Sequence, residues 1–370
     1  MKFCVIGDPH FANRKVFARP TKVTGVNSRL LATRHTFETI GEDLEEDIEH
    51  VLVLGDITHD HGILTPAVYY MANSALWDLA CNDRVVRVLS GNHDIDAYGM
   101  SIVPVFEYWD DNGEEKIEHV QAGQMISHMP DAEEWVVYGI SFMSHARTID
   151  ALESMEKHFM DKRVVLCMHH HFDGAEHGVH EFQPAGGLNP SDIPDCVEVV
   201  LSGHYHKRQK IGKRILYVGA PMQQDFGEST YTPGYTIVKL LNGKPPKIEF
   251  REIPATVAPR FHILPYNLPT ADIPGLPESD YYRIDIPYDC NMSEAHTLAK
   301  KLKYAAVRVV PVTSVLRSRV EKHLAKEGKE GKLELGDIIE AYAAMNAEPG
   351  HVDELVDLGM DIANKVINEE

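Results

Sequence analysis

Apolar runs that stop abruptly at a glycine or a polar residue recur along the first 206 positions: FCVIG before Asp8, HVLVLG before Asp56, VVRVLSG before Asn92, VVLCM before His169 and VEVVLSG before His204. Such runs, rich in Val and Leu, predict buried strands. Between them the spacing turns helical. Residues 27–46 carry Leu30, Leu31, Phe37, Ile40 and Leu44 about a turn apart, and Thr65-Pro66 reads as an N-cap followed by proline in the first turn of a helix to about Ala80. Later strands are predicted at about 135–142, 214–219, 234–241 and 247–253, together making a second sheet.

Periodicity is lost near 254–280, where prolines gather. Beyond that break YYRIDIPY reads as a strand, residues 293–304 as a helix with Ala295, Leu298, Ala299 and Leu302 on one face, and AAVRVVPV as another strand. KEGKEGK at 326–332 is a charged, glycine-broken linker. Two short amphipathic helices follow at about 336–346 and 351–367, the second grouping Val352, Leu355, Val356, Leu358 and Ile362. That apolar face needs a cover, either the body of the protein or a partner. The division expected is a main domain over 1–260, a small α/β unit over 275–325, and a linker with C-terminal helices over 326–370.

Composition narrows the class. With 370 residues, 44% hydrophobic and 25% charged, the chain can fill one large core and a smaller unit. It begins MKFCVIGD, so the first strand starts at once, and neither a secretory segment nor a membrane-spanning stretch is predicted. Cys4, Cys81, Cys167, Cys196 and Cys290 form no CxxC pair and read as reduced core residues of a cytoplasmic protein. The net charge of −20 opposes nucleic-acid binding on average. Its distribution is uneven, however: Arg14, Lys15, Arg19, Lys22, Arg29 and Arg34 fall between Asp8 and Glu38 with no acidic residue among them. A second basic cluster, Lys207, Arg208, Lys210, Lys213 and Arg214, follows His206. These read either as solvated loops or as a positive rim for a phosphate backbone.

The chemistry lies where the strands end. Asp8-Pro-His10, Gly55-Asp56, Gly91-Asn92-His93-Asp94, Met168-His169 and Gly203-His204-Tyr205-His206 place polar groups on the rim of a sheet, where open α/β folds build their sites. Carboxylate, amide oxygen and imidazole suit Mn, Zn or Fe, and thiolates are absent from these motifs. Asp56 is the natural bridging carboxylate, because an anion between two cations reduces their repulsion. Asp8, His10, Asp56 and His206 are assigned to one ion, and Asp56, Asn92, His169 and His204 to the other. His169 follows its strand directly; His170, beside it in a triple histidine, remains the alternative. Two ions several ångströms apart can share a water, lower its pKa and clamp a phosphate for in-line attack. His93 is expected to act as general acid or transition-state stabiliser, oriented by Asp94, and His59 to orient the phosphate or the attacking end. His177 and His180 lie in a polar loop that faces either substrate or solvent.

At these residues the chain resembles the calcineurin-like metallophosphoesterases, and within them the SbcD-type nuclease subunits of double-strand-break repair and recombination, including phage-encoded relatives. His59 in GDITH, ILYVGAPMQQDFGE at 215–228 followed by PGYTIVKL, and GGLNPSDIPDCVEVVLSGHYH all carry that resemblance, which runs from Met1 to roughly Leu264. Tyr205, where the family has an aliphatic residue, and the triple histidine depart from it. The resemblance implies a four-layer α-β-β-α metallophosphoesterase sandwich with a small α/β capping domain and a helical C-terminal tail. It further implies two divalent ions, most readily Mn2+, and a DNA exonuclease with possible endonuclease activity. The implied partners are DNA and an SbcC-type SMC-like ATPase, in a heterotetramer built on a homodimer, with no membrane. A small-molecule phosphodiesterase or phosphatase of the same fold is the alternative, and an interaction scaffold a more distant one.

Overall fold

In the computed structural model the run KFCVI forms β1 (Lys2–Ile6), whose alternate residues enter different cores: Phe3 and Val5 join one apolar cluster, Cys4 and Ile6 another. This is the period-two consequence of a strand buried on both faces. The structure describes residues 1–21, 25–121, 123–128, 134–176, 186–265, 275–287, 292–302 and 305–310, and beyond them only Ile339 and Val356. The chain divides into two compact units, residues 1–262 with 277–282, and residues 263–276 with 283–370.

After β1 come α1 (Ser28–Asp43), β2 (His50–Val53), α2 (Pro66–Ala80), β3 (Val85–Leu89), β4 (Tyr108–Trp109), β5 (Glu115–Val120), β6 (Gln124–His128), β7 (Trp135–Ile140) and α3 (His145–Phe159). β8 (Arg163–His169), β9 (Val197–Gly203), β10 (Gln209–Ile211), β11 (Ile215–Tyr217), β12 (Gly234–Lys239) and β13 (Lys247–Glu252) complete the first unit's main elements. They form two sheets, ordered β13-β12-β1-β2-β3-β5-β4 and β10-β11-β9-β8-β7-β6. β1, β2, β3 and β5 run parallel in the first, and β7, β8, β9 and β11 in the second.

Three apolar clusters organise this unit. Phe3, Val5, Leu52 and Leu89 of the first sheet share one with Val137, Val165, Cys167 and Leu201 of the second. The other face of the first sheet, through Cys4, Ile6, Val51 and Val86, packs with Leu30, Phe37 and Ile40 of α1 and with Val68, Ala72 and Leu76 of α2. The other face of the second sheet, through Val136, Val164, Leu166 and Val200, packs with Leu152 and Met155 of α3. The fold is thus mixed α/β with several sheets and few helices.

Local sequence sets the helix ends. Asn27 caps α1, its Oδ1 accepting from Arg29 N at 3.0 Å and Leu30 N at 3.2 Å, and Thr65 Oγ1 accepts from Val68 N at the start of α2. At the other end of α1, the buried Arg84 donates to the carbonyls of Gly41 and Leu44, which would otherwise lack partners.

Three readings change. The strands expected at 234–241 and 247–253 are β12 and β13, but they join the first sheet, with β12 antiparallel to β1 in the register Lys2↔Lys239. Apolar periodicity marks a strand without naming its neighbour. The sequence reading has no helix at 145–159, where α3 lies. Cys4 and Cys167 are buried as expected, whereas Cys81 is exposed; Cys290 lies outside the described residues.

Beyond the first unit's core, β14 (Phe261–Pro265), β15 (Tyr281–Pro287) and β16 (Ala305–Val310) form a three-stranded sheet in that order, with α4 (Met292–Ala299). Ile284, Ile286, Ala295 and Leu298 share the second unit's apolar cluster. The sequence-predicted segments at 326–332, 336–346 and 351–367 fall outside the described residues apart from Ile339 and Val356, as do His177 and His180. No helix among the described residues is long and apolar enough to cross a membrane.

Leu52 is fully buried in the cluster shared by the two large sheets. Leu52→Ala is expected to lower the unfolding free energy by about 2–5 kcal/mol, read from urea denaturation followed by circular dichroism. A change below about 1 kcal/mol would contradict close packing at that interface.

Candidate metal centre

The strands β1, β2, β3, β8 and β9 end side by side, and the loops leaving them turn sharply. Asp8, His10, Asp56 and His204 all take positive φ, at 31°, 49°, 52° and 88°. For residues other than glycine this left-handed backbone costs about 1–3 kcal/mol apiece, and it is kept only where the surroundings over-determine it. Glycines let the loops meet: a Cβ at Gly91 would overlap Asp56, and one at Gly203 would overlap Leu54 O and crowd His169 Nδ1.

The seven side chains expected to ligate metal converge. His10 Nε2 lies 2.9 Å from His206 Nε2 and 3.3 Å from Asp56 Oδ2. Asp56 Oδ1 faces the other way, 3.5 Å from His169 Nε2. Asn92 Oδ1 sits 3.0 Å from His169 Nε2 and 2.9 Å from His204 Nδ1. Asp8 Oδ1 accepts from His204 N at 2.7 Å and lies 3.7 Å from His169 Nδ1. Two sets of donor atoms compact enough for one ion each, Asp8 with His10 and His206, and Asp8 with Asp56 and His169, emerge from these contacts; a third, His10 with His59 and His93, shares His10. Of the triple histidine it is His169 that reaches the cluster, while the His170 ring lies beside Phe142 and bonds His171 O.

Electrostatics fits this cluster to cations. His169 Nδ1 faces Leu54 O at 2.7 Å, and a carbonyl can only accept, so the proton is on Nδ1 and the Nε2 lone pair points inward. Burial holds His10 well below its ordinary pKa, His169 down to about 3 and His204 down to about 2, so all three are neutral, as ligation requires. Burial pushes Asp8 up to about 8, opposed by His206 and reinforced by Asp56, which burial also raises. His206 goes the other way for a histidine: burial disfavours its charge, but Glu228, then Asp8 and Asp56, outweigh that and hold it up at about 9. Asp8 Oδ2 is buried without a hydrogen-bond partner. Buried carboxylates that resist ionisation, an orphaned carboxylate oxygen and inward lone pairs all describe a place short of positive charge. The donor set is oxygen and nitrogen throughout, which matches hard or borderline divalent ions.

The three residues expected to serve catalysis separate. His93 N donates to Asp56 Oδ1 at 2.9 Å, and its Nδ1 donates to His59 O at 2.6 Å, leaving Nε2 for other use. His59 lies parallel to the His93 ring with centroids 5.0 Å apart, and its Nδ1 is 3.2 Å from His10 Nδ1. Burial, followed by Arg14 and His93, lowers His59 to about 3, so it brings no charge. Asp94 does not orient His93. Its carboxylate instead accepts from the backbone N–H groups of Ile57, Thr58 and Gly91, stapling the Asp56 loop to the Asn92 loop.

Two further residues belong here that the motifs did not single out. Glu228 Oε1 meets His206 Nδ1 at 2.5 Å and so sets which His206 nitrogen faces the cluster. His61 stacks on His93 with centroids 4.1 Å apart. His61 was within reach, two positions past His59 in THDH; Glu228 closes the 215–228 run that carries the resemblance, but its contact with His206 arrives only through the fold.

The basic rim is thinner than the sequence suggests. Arg34 pairs with Asp78, Lys207 with Glu176, Arg208 stacks on Phe250 and bonds Thr236, and Arg214 donates to the carbonyls of Ile193, Pro194 and Val197. Lys22 lies outside the described residues, and Lys15, Lys210 and Lys213 are exposed.

No curated protein matches the chain. Among solved structures, a dimetal phosphatase from Danio rerio is 10% identical, with 68% of this chain and 96% of that one covered and a TM-score of 0.41. A glutamine-dependent NAD+ synthetase from Acinetobacter baumannii, in complex with ADP, is also 10% identical, with 99% and 73% covered and a TM-score of 0.29. Likeness this slight supports no assignment. The family model described as calcineurin-like phosphoesterase matches residues 1–208. That span covers more than half of the chain and takes in every converging Asp, Asn and His side chain described above, so the chain belongs to the calcineurin-like phosphoesterases, a family of metal-dependent hydrolases.

Proposed function

We propose that this chain is a dinuclear-metal-dependent DNA nuclease of the SbcD type, an exonuclease with endonuclease capacity that works with an SbcC-type ATPase and two Mn2+ ions. The observation that carries this reading is the group of histidines beside the ligand set: His93 is fixed by the His59 carbonyl and flanked by His59 and His61, with no hydrogen bond to its Nε2 among the described residues. The 215–228 segment, which carries the nuclease resemblance, also returns to the site through Glu228.

Asp8, His10, Asp56 and His206 would hold one ion, and Asp56, Asn92, His169 and His204 the other. Asp56 Oδ2 faces His10 while Oδ1 faces His169, which supports a bridging carboxylate. When bound, the ions supply Lewis acidity toward phosphate oxygens and a water of lowered pKa. His93 Nε2 is the atom that gives a proton to the leaving oxygen or steadies charge growing on the phosphorus centre. His59 and His61 keep that ring in its plane. Asp94 keeps the Asp56 and Asn92 loops in step.

The three clusters, alternating helix and sheet, favour the four-layer arrangement. Tyr70 and Trp77 of α2, with Tyr98, Met100 and Trp109, are each exposed, and large apolar side chains left in solvent favour a homodimer. A capping role for residues 275–325, and ATPase docking by the tail, rest on the sequence resemblance.

Two outcomes are expected. Asp8→Ala loses bound metal, measured by plasma mass spectrometry, and all Mn-dependent cleavage of duplex ends, whereas His93→Leu keeps its metal and loses cleavage about 10²–10⁴-fold. Hydrolysis of bis-p-nitrophenyl phosphate with no DNA cleavage, even beside the cognate ATPase, would instead mark a small-molecule phosphodiesterase. Glu228→Gln is expected to weaken metal binding about 10–100-fold in calorimetric titration, with little change in melting temperature; wild-type affinity there would remove Glu228 from the site.

A further inference from the structure

We propose that Arg14 anchors a phosphate adjacent to the one being cleaved, so that the site favours a polynucleotide over an isolated phosphodiester. This inference rests on the nuclease reading and refines it.

Arg14 follows His10 by four positions on the loop leaving β1, and its backbone is pinned by Asn27 Nδ2, which donates to Arg14 O at 2.6 Å. Its Nη2 donates to Gln224 Oε1 at 2.8 Å; Gln224 N in turn donates to Glu228 Oε2 at 2.7 Å, and Glu228 Oε1 bonds His206. The fork is therefore tied to the metal centre through two intermediate side chains. Unlike Arg34, it has no carboxylate within ion-pair distance among the described residues, and its Nε is buried without an acceptor. A guanidinium carries five donors, and leaving them desolvated and unmatched is unfavourable. A phosphate oxygen pair is the group whose geometry and charge meet such a fork.

The surroundings strengthen the preference for an anion. The first turn of α1 contains no acidic residue, and Arg29 stands there instead, its Nη2 donating to Gln224 O at 2.6 Å and its guanidinium lying over Phe261 and Tyr281. A like charge and a helix N-terminus both make the neighbourhood positive. Asp60, Glu228 and Asp225 act on Arg14 with opposite charge.

Arg14→Gln and Arg14→Lys would be compared with the wild type in the full chain. Binding of a fluorescein-labelled DNA duplex, in EDTA and across a salt series, is read by anisotropy. Hydrolysis of the same duplex and of bis-p-nitrophenyl phosphate is read with Mn2+. Arg14→Gln is expected to weaken duplex binding about tenfold or more and to reduce the salt slope by about 0.9, the loss of one phosphate contact. Its kcat/KM should fall at least tenfold further on DNA than on the small ester. Arg14→Lys should keep the slope and recover part of the affinity. Unchanged affinity and slope in Arg14→Gln, or equal losses on both substrates with metal content intact, would overturn the anchor. A wild type that binds DNA through Arg14 yet cleaves only the small ester overturns the nuclease reading alone. DNA degradation indifferent to Arg14 overturns the anchor alone, and a wild type that binds no DNA overturns both.

Discussion

Asp56 can occupy its place only because residue 91 has no side chain. A single added carbon there would collide with the Asp56 carboxylate and backbone, and the same holds where Gly203 meets Leu54 and His169. The close approach of loops from β1, β2, β3, β8 and β9 is the constraint from which the rest follows. It brings two acids and four imidazoles into one buried volume, and that volume then dictates their protonation. Four strained backbones persist there because the packed strands behind them leave no relaxed alternative.

Charge completes the argument. Carboxylates removed from water and pressed together are poor anions, and imidazoles in the same place are poor cations. The polypeptide alone leaves that balance unresolved, with His206 protonated between Asp8 and Glu228 as the nearest approach to neutrality. Divalent ions resolve it, which explains why the fold tolerates so unfavourable a gathering. Asp94 shows the other device at work: an acid buried just as deeply, but satisfied by three backbone N–H groups and therefore structural.

Much of the site was legible because each ligand candidate stands directly after an apolar run that ends abruptly, and a strand has a fixed direction and end. The helices α1 and α2 were legible too, through Asn27 and Thr65-Pro66, although Leu31 proves to lie off the buried face. What escaped depends on contacts between distant segments. Glu228 reaches His206 across 22 positions, and β12 finds β1 across the length of the first unit. Asp94, next to His93 in sequence, suggested a partnership, but its carboxylate is taken up by the backbone N–H groups of Ile57, Thr58 and Gly91. The basic stretches misled for a similar reason: charge along a chain does not reveal that Arg34, Arg208 and Arg214 spend their donors inside the protein.

The pairing of β1 with β12 also bears on how the chain is assembled during synthesis. Until Lys239 has been made, β1 has a neighbour only on its β2 side, because its other edge is reserved for a strand more than 230 positions later. Every ligand candidate is translated before that closing strand arrives. A nascent chain therefore carries its whole acidic and imidazole complement while one sheet edge is still bare, the state in which non-local β topology is most exposed to mispairing.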